Sequence, residues 1–570
     1  MKSILVSLGV LTLSAGAYIF KIKGSQNSAT GIAEITMCGP VDFEAMKPAE
    51  NGKYTVPLPG WGSYHYGITT SSDSAQFYFD QGLSLYYSYH MPEAAASFRE
   101  ASRFDPGCAM AYWGEALTMG PYYNAAHSYT KPERIAEVLA KMNLNINSTS
   151  EKEKKLIQAI NIRFDPARGG SDLKTSDLAY AEVLQSLIAT YPDDVDIKML
   201  YVDAVMLMHA WDFWDQNGGA KPWTEEVVLL SERVLKSNPE HPAALHYYIH
   251  LTEASHQPQV ALANADALKK LFPGVPHMVH MASHEYQRNG FYAKGVEVND
   301  AADSNLRVYH GLSKNLSLNT KSPHYYAVQT YCALSGGMYE AGMRSAEKCR
   351  ASVKPTAANT YDQYLYMMPV ITMVRLGKWK EIIADQTEVK KSWTYAQLLN
   401  HFAKGMAYAH TSKMDSAQWH LTQLRQQMKD PVLDKRRIPF NAPADVAPIA
   451  EQILYASIQF YLNHRNQAIE ALRVAIAAED KLIYTEPNDW PLPARQYLGA
   501  YLSKMRVYEQ AEQVYRDDLV RNPGNGWSNL GLWKILKAQK QTKDLDQYKR
   551  AYRQAFSHAS QLPTGSAYIR

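Results

Sequence analysis

The chain has 570 residues, 20% of them charged and 46% hydrophobic, several times the length of one ordinary domain and enough to bury a large apolar surface. Its 59 Lys and Arg against 56 Asp and Glu leave a formal charge of +3, far short of the clustered basic excess that nucleic-acid binding requires, so no nucleic-acid partner is expected. Four cysteines without a CxxC pair exclude a disulfide scaffold and a thiolate zinc site.

The N-terminus reads as an export segment. Lys2 precedes an apolar run from Ile4 to about Leu13, followed by Ala15-Gly16-Ala17, the small-x-small pattern of a signal peptidase site. Residues 1–17 are therefore expected to be a signal peptide. The alternative is an uncleaved membrane anchor to about residue 23, because Ile4 to Phe20 is almost long enough to span a bilayer and Lys21 and Lys23 follow it. Either reading puts the bulk of the chain outside the cytoplasm, in the periplasm or anchored to the inner membrane, and membrane contact is expected only through this segment. Residues 18–60, with Pro57-Leu58-Pro59-Gly60 at their end, read as an irregular lead-in. In an oxidising compartment, pairing of Cys332 with Cys349 and of Cys38 with Cys108 is one expectation. Buried free thiols are the other.

Residues 61–570 read as an all-α, right-handed α-α superhelix with a concave groove. Apolar residues recur at helical spacing, in segments broken by short Pro, Gly or Asn turns. Gly82, Ala94, Phe98, Ala101 and Pro106 share their spacing with Gly499, Ala511, Tyr515, Asp518 and Pro523. This is the pattern of the 34-residue tetratricopeptide repeat, in which Gly and Ala sit where helices touch and an aromatic wedges between them. Clear repeats are expected near 75–108, 242–275, 276–305 and 492–525. The stretches 213–223, 303–323 and 429–449 are expected to be long loops folded over the groove.

The chain carries 39 Tyr and 18 His, and seven of the histidines (His241, His246, His250, His256, His277, His280 and His284) fall within 44 residues. One helix is expected from about Pro242 to Ser255 and another from about Pro276 to Arg288. His246 and His280 are then one repeat apart, as are His250 and His284, and the spacing of four within each pair puts both side chains on one helix face. Glu253 and His277 extend those faces, and His324 takes a matching place in a third unit. Groove-facing imidazoles with a carboxylate point to a transition metal, Zn, Cu, Fe or Ni, rather than Ca or Mg. His246, His250, His280 and His284 are the primary ligand candidates, with Glu253, His277 and His324 secondary. Glu253 and Glu285 are the candidate general bases if the site is catalytic. The competing reading is that the groove binds a protein or peptide, without metal. His241 and His256 are expected to be surface or capping residues. Asp212 is expected in an aromatic helix end, and Glu486 in a helix-start cap.

The run Phe79-Asp80-Gln81-Gly82-Leu83, then Glu93-Ala94, then Asp105-Pro106-Gly107-Cys108-Ala109-Met110-Ala111-Tyr112-Trp113-Gly114 resembles the opening of a group of large bacterial exported tetratricopeptide-repeat proteins of uncharacterised activity. His246-Tyr247-Tyr248-Ile249-His250 and His277-Met278-Val279-His280-Met281-Ala282-Ser283-His284 are similar to a second signature of that group, and residues 484–533 to its C-terminal part. The resemblance spans most of 65–540 and implies the fold, not a reaction. Some relatives carry a Cys near the positions of Thr69 to Ser72 that pairs with the Cys of the Asp-Pro-x-Cys motif. Here Cys38 would take its place.

Overall fold

The computed structural model describes residues 42–165, 173–436 and 441–569. The expected signal segment and Cys38, with its expected pairing to Cys108, lie outside the described residues. Among these residues the chain forms 25 α-helices and no strand beyond one isolated bridge between Trp214 and Ala220. No helix among them is long and apolar enough to cross a membrane. Successive helices pack as antiparallel pairs, and the pairs stack into an α-solenoid.

The local cause is visible where Gly faces an aromatic. Phe98 fills the space between two helices so closely that a Cβ on Gly114 would meet its ring at 2.2 Å and one on Gly82 at 3.0 Å. Tyr515 occupies the same place in a C-terminal unit, 2.3 Å from a Cβ built on Gly499 and 2.4 Å from one built on Gly531. Each ring is buried and each wedges one helix pair against the next, so a unit cannot shed its neighbour without exposing it.

The solenoid curls back on itself, and this converts the groove into an interior. The turn at Gly290 meets Gly524, whose N–H donates to the Arg288 carbonyl at 3.3 Å, and a side chain on either glycine would strike the other's backbone. Further along, Gly337 meets Ala559, and Gly377 meets Tyr568. At the other end the helix Asp73–Tyr87 packs on the helix Pro242–Thr252. The segment 42–72 is irregular yet bound: the Leu58 N–H donates to Gln81 at 2.8 Å, the Gly274 N–H donates to the Gly60 carbonyl at 3.2 Å, and the Tyr64 hydroxyl donates to Asp196 at 2.5 Å.

Three expectations are corrected. The helix Tyr292–Leu312 runs through the first half of the loop expected over 303–323, because Tyr309 on its inner face is buried and donates to the Pro59 carbonyl at 3.2 Å. The helix Pro443–Tyr461 begins inside the loop expected over 429–449, with Pro443 in the first turn where a missing N–H costs nothing. Cys332 and Cys349 are free and buried rather than paired: the Cys332 sulfur packs where Gly295 leaves room, and the Cys349 sulfur lies 3.9 Å from the Pro323 carbonyl. Burial pushes the Cys108 thiol up to about 11 and holds the other two higher still.

Candidate metal centre

The two helices that carry the histidine pairs lie where the sequence spacing put them, at Pro242–Thr252 and Pro276–Arg288, each opened by a proline in its first turn. The first stops at Thr252, three residues short of the expected end, and Glu253 caps it. His241 is the N-cap residue, accepting from the Ala244 N–H at 3.3 Å, and is buried against Tyr64 rather than lying at the surface. His256 and Asp212 stand apart, lining a neighbouring cavity, and Asp212 pairs with Lys221 at 3.3 Å.

The six candidate histidines form two triads. His246, His250 and His277 bring one ring nitrogen each to a common point, and His280, His284 and His324 do the same. The expected quartet of His246, His250, His280 and His284 is thus divided between them. His277, ranked second by sequence, completes one triad, and His324, from the helix Pro323–Ser335, completes the other. All six rings are buried, none more than 4% exposed. The triads adjoin, with 5.8 Å between the ring centroids of His277 and His280 and 6.3 Å between those of His250 and His284.

Hydrogen bonds outside the triads fix the tautomers. His246 Nδ1–H donates to the Tyr87 carbonyl at 2.7 Å, and His250 Nδ1–H to Glu253 Oε1 at 2.9 Å. Asn299 donates its own amide to the Gly295 carbonyl at 2.8 Å, which turns its oxygen toward His280 Nδ1 at 2.6 Å. His284 Nδ1 lies 2.8 Å from Glu486 Oε2 and 3.1 Å from Glu253 Oε2. Each of these four imidazoles therefore carries a proton on Nδ1 and turns Nε2 to the interior, the arrangement that orients histidines toward a metal.

The Nε2 atoms of His246, His250 and His277 are buried with no hydrogen-bond partner among the described residues. In the second triad, His280 Nε2 lies 3.0 Å from His284 Nε2 and 2.9 Å from His324 Nε2. His280, with its proton on Nδ1, turns its Nε2 lone pair to both neighbours, and a cation at this point would take that lone pair in place of a proton carried by His284. Ligand nitrogens held at 2.0–2.1 Å by a single ion stand about 3 Å apart. The electrostatics agree. Burial, with neighbouring imidazoles adding to it, holds His246, His277 and His280 well below the ordinary range, and burial brings His250 down to about 3, so these rings are neutral. For His284 burial also pulls downward, but the carboxylates of Glu486 and Glu253 win and raise it to about 10.

Glu486 comes from the far end of the sequence and faces the site rather than capping a helix. It forms a third potential ligand group with His250 and Glu253. Burial is the first cause that raises its carboxyl, to about 7, and Glu253 adds to it. Its only signal in the sequence was an acidic residue in a Pro-bounded aromatic loop. Glu285 lies outside all three groups: burial pushes its carboxyl well up, and its Oε2 accepts from Asn289 at 3.3 Å. Tyrosines enclose the centre, Tyr89 over His246 at 4.6 Å between centroids and Tyr123 beside His250 at 5.0 Å.

The chain neighbours of Glu253 and Glu486, Ala254 and Thr485, line a cavity of about 300 Å³ with Trp211, Trp214, Tyr484 and Arg288. None of the triad histidines borders it.

No protein-family model and no curated protein matches this chain. Among solved structures it is similar to the human IFIT1 dimer with m7Gppp-AAAA, at 12% identity and a TM-score of 0.35, over 83% of this chain and 95% of that one. It is also similar to the APC/C hetero-tetramer Cut9-Hcn1, at 11% identity and a TM-score of 0.27, over 85% of this chain and 76% of that one. Overlap of this degree says nothing about ligand or activity.

Proposed function

We propose that this helical-repeat protein binds a transition metal, Zn, Cu, Fe or Ni, in the histidine cluster enclosed by its solenoid, as a metalloenzyme or a metal carrier. The observation that carries this reading is the set of three buried, unpartnered Nε2 atoms of His246, His250 and His277. A buried polar nitrogen without a partner costs roughly 1–3 kcal/mol, and a chain has no reason to bring three together unless something binds them. Imidazole ligands suit these metals, and three protein ligands leave a coordination position for water or substrate. Export through the N-terminal segment, by a bacterial cell, belongs to the same proposal and is checked by N-terminal sequencing of the mature protein.

Metal analysis of protein purified without a histidine tag tests the reading. Near-stoichiometric metal is expected, and it is lost when His246 and His280 are substituted together. Absence of bound metal after refolding with Zn, Cu, Fe and Ni in turn overturns it.

A second reading, a scaffold for a protein or peptide, has the cavity beside Trp211, Trp214 and Tyr484 in its favour, since aromatic faces and Arg288 can hold a chain by stacking and hydrogen bonds. It predicts that substitutions in the cavity abolish partner binding whether or not metal is present.

A further inference from the structure

We infer that the centre holds two metal ions as a coupled pair, one in each histidine triad, with Glu253 as the carboxylate common to both. The inference rests on the metal-binding reading above and goes beyond it in number, placement and coupling.

Three observations carry it. The six imidazoles do not surround one point. They converge as His246, His250 and His277 on one side and His280, His284 and His324 on the other, each set with its ring nitrogens within 4.8 Å of one another. The second observation is that the outer-shell partners are duplicated rather than shared at random. Each triad contains one histidine whose Nδ1 is held by a neutral oxygen, the Tyr87 carbonyl for His246 and the Asn299 amide for His280, and one whose Nδ1 is held by a carboxylate. Donor sets of matching chemistry at matching repeat positions are what two similar ions require.

The third is Glu253 itself. Its Oε1 takes His250 of the first triad at 2.9 Å, and its Oε2 lies 3.1 Å from Nδ1 of His284 of the second. Charge fits the same count. Two divalent ions in a sealed interior need buried anions nearby, and the carboxylates of Glu253 and Glu486 are buried beside the triads. With one ion, held in the second triad, the three unpartnered Nε2 atoms of the first would be left with no cation.

The experiment titrates the full-length, tag-free apoprotein with Cu(II) and with Co(II), counting bound metal by native mass spectrometry and recording the Cu(II) electron paramagnetic resonance signal. Wild type should take up two equivalents, with an integrated spin intensity well below that of two isolated Cu(II) ions. His277→Gln and His324→Gln should each keep one equivalent at full spin intensity, and the double variant none. Circular dichroism of the apo variants establishes that they fold, and the wild-type stoichiometry stands without them. A single equivalent in wild type, abolished by either substitution, overturns the two-ion inference and leaves the metal-binding reading intact. Two equivalents at full, uncoupled intensity overturn the pairing. No bound metal overturns both readings.

Discussion

Glu253 Oε2 lies 3.1 Å from Nδ1 of His284, a residue one repeat onward, although Glu253 sits only three residues past His250 on its own helix. A capping residue of one unit thereby orients a ring of the next. Helix stacking supplies the reach: the C-terminus of Pro242–Thr252 ends beside the middle of Pro276–Arg288.

Replacement of this carboxylate separates orientation from ligation. Glu253→Gln keeps all six imidazoles but presents one oxygen and one amide where two carboxylate oxygens stood, so either His250 loses its Nδ1 partner or His284 meets the amide and is left with Glu486 alone. Metal affinity should fall about 10- to 100-fold, with the stoichiometry at saturation unchanged. Competition against a chelator of known affinity checks this. An unaltered affinity would show that Glu253 does not position the ligands.

The metal-free protein should be acid-labile in a defined window. The buried rings of His246, His250, His277 and His280 have pKa values lowered in the folded state, so the unfolded chain binds more protons below its ordinary histidine pKa of about 6.5. Stability is therefore lost as pH falls below 6.5, toward the value of about 3 for His250. His284 has the opposite shift, and its contribution is already complete below 6.5, so it cannot offset the loss. The raised carboxyls of Glu486, at about 7, and Glu285 stabilise the fold as pH falls through the same range, so the histidine part is read by difference: the loss in urea midpoint from pH 7.5 to 5.5 should be smaller in apo His277→Gln than in the wild-type apoprotein, and an equal change would refute the assignment of a neutral buried ring.

Gly114→Ala tests the aromatic wedge. The added Cβ would meet the Phe98 ring at 2.2 Å in a buried layer, an overpacking that costs about 1–3 kcal/mol. Combining it with Phe98→Leu, which shortens the wedge, should recover part of the loss relative to the sum of the two single changes. Thermal or urea denaturation of the four proteins gives the coupling. Strict additivity would mean that the ring is not what excludes the methyl group.

Cys332 and Cys349 should be found as thiols. Both are buried, and burial raises their pKa, so neither presents a thiolate in the native protein. Iodoacetamide should leave them untouched under native conditions and modify both after denaturation without reductant. Peptide mapping that recovers them as a disulfide would contradict the structure.

The sequence by itself determined the helical architecture and the identity of the six histidines. Both follow from local spacing: a Gly-to-aromatic offset specifies the contact between paired helices, and a four-residue step puts His246 with His250, and His280 with His284, on one face. Repeat length carried that match from one unit to the next. What local spacing does not encode is the curl of the whole solenoid, which sums small rotations over many units and brings the loop of Glu486, the Tyr87 carbonyl and the turn at His90 against helices more than a hundred residues away. That closure decided that the groove is an interior, that Glu486 orients a ring instead of capping a helix, and that the histidines divide by position in space, His277 with the first helix and His324 with the second. It also decided the chemistry. An imidazole on an open groove is satisfied by water, whereas the same imidazole sealed among tyrosines keeps an unshared lone pair that only a cation or a proton can take.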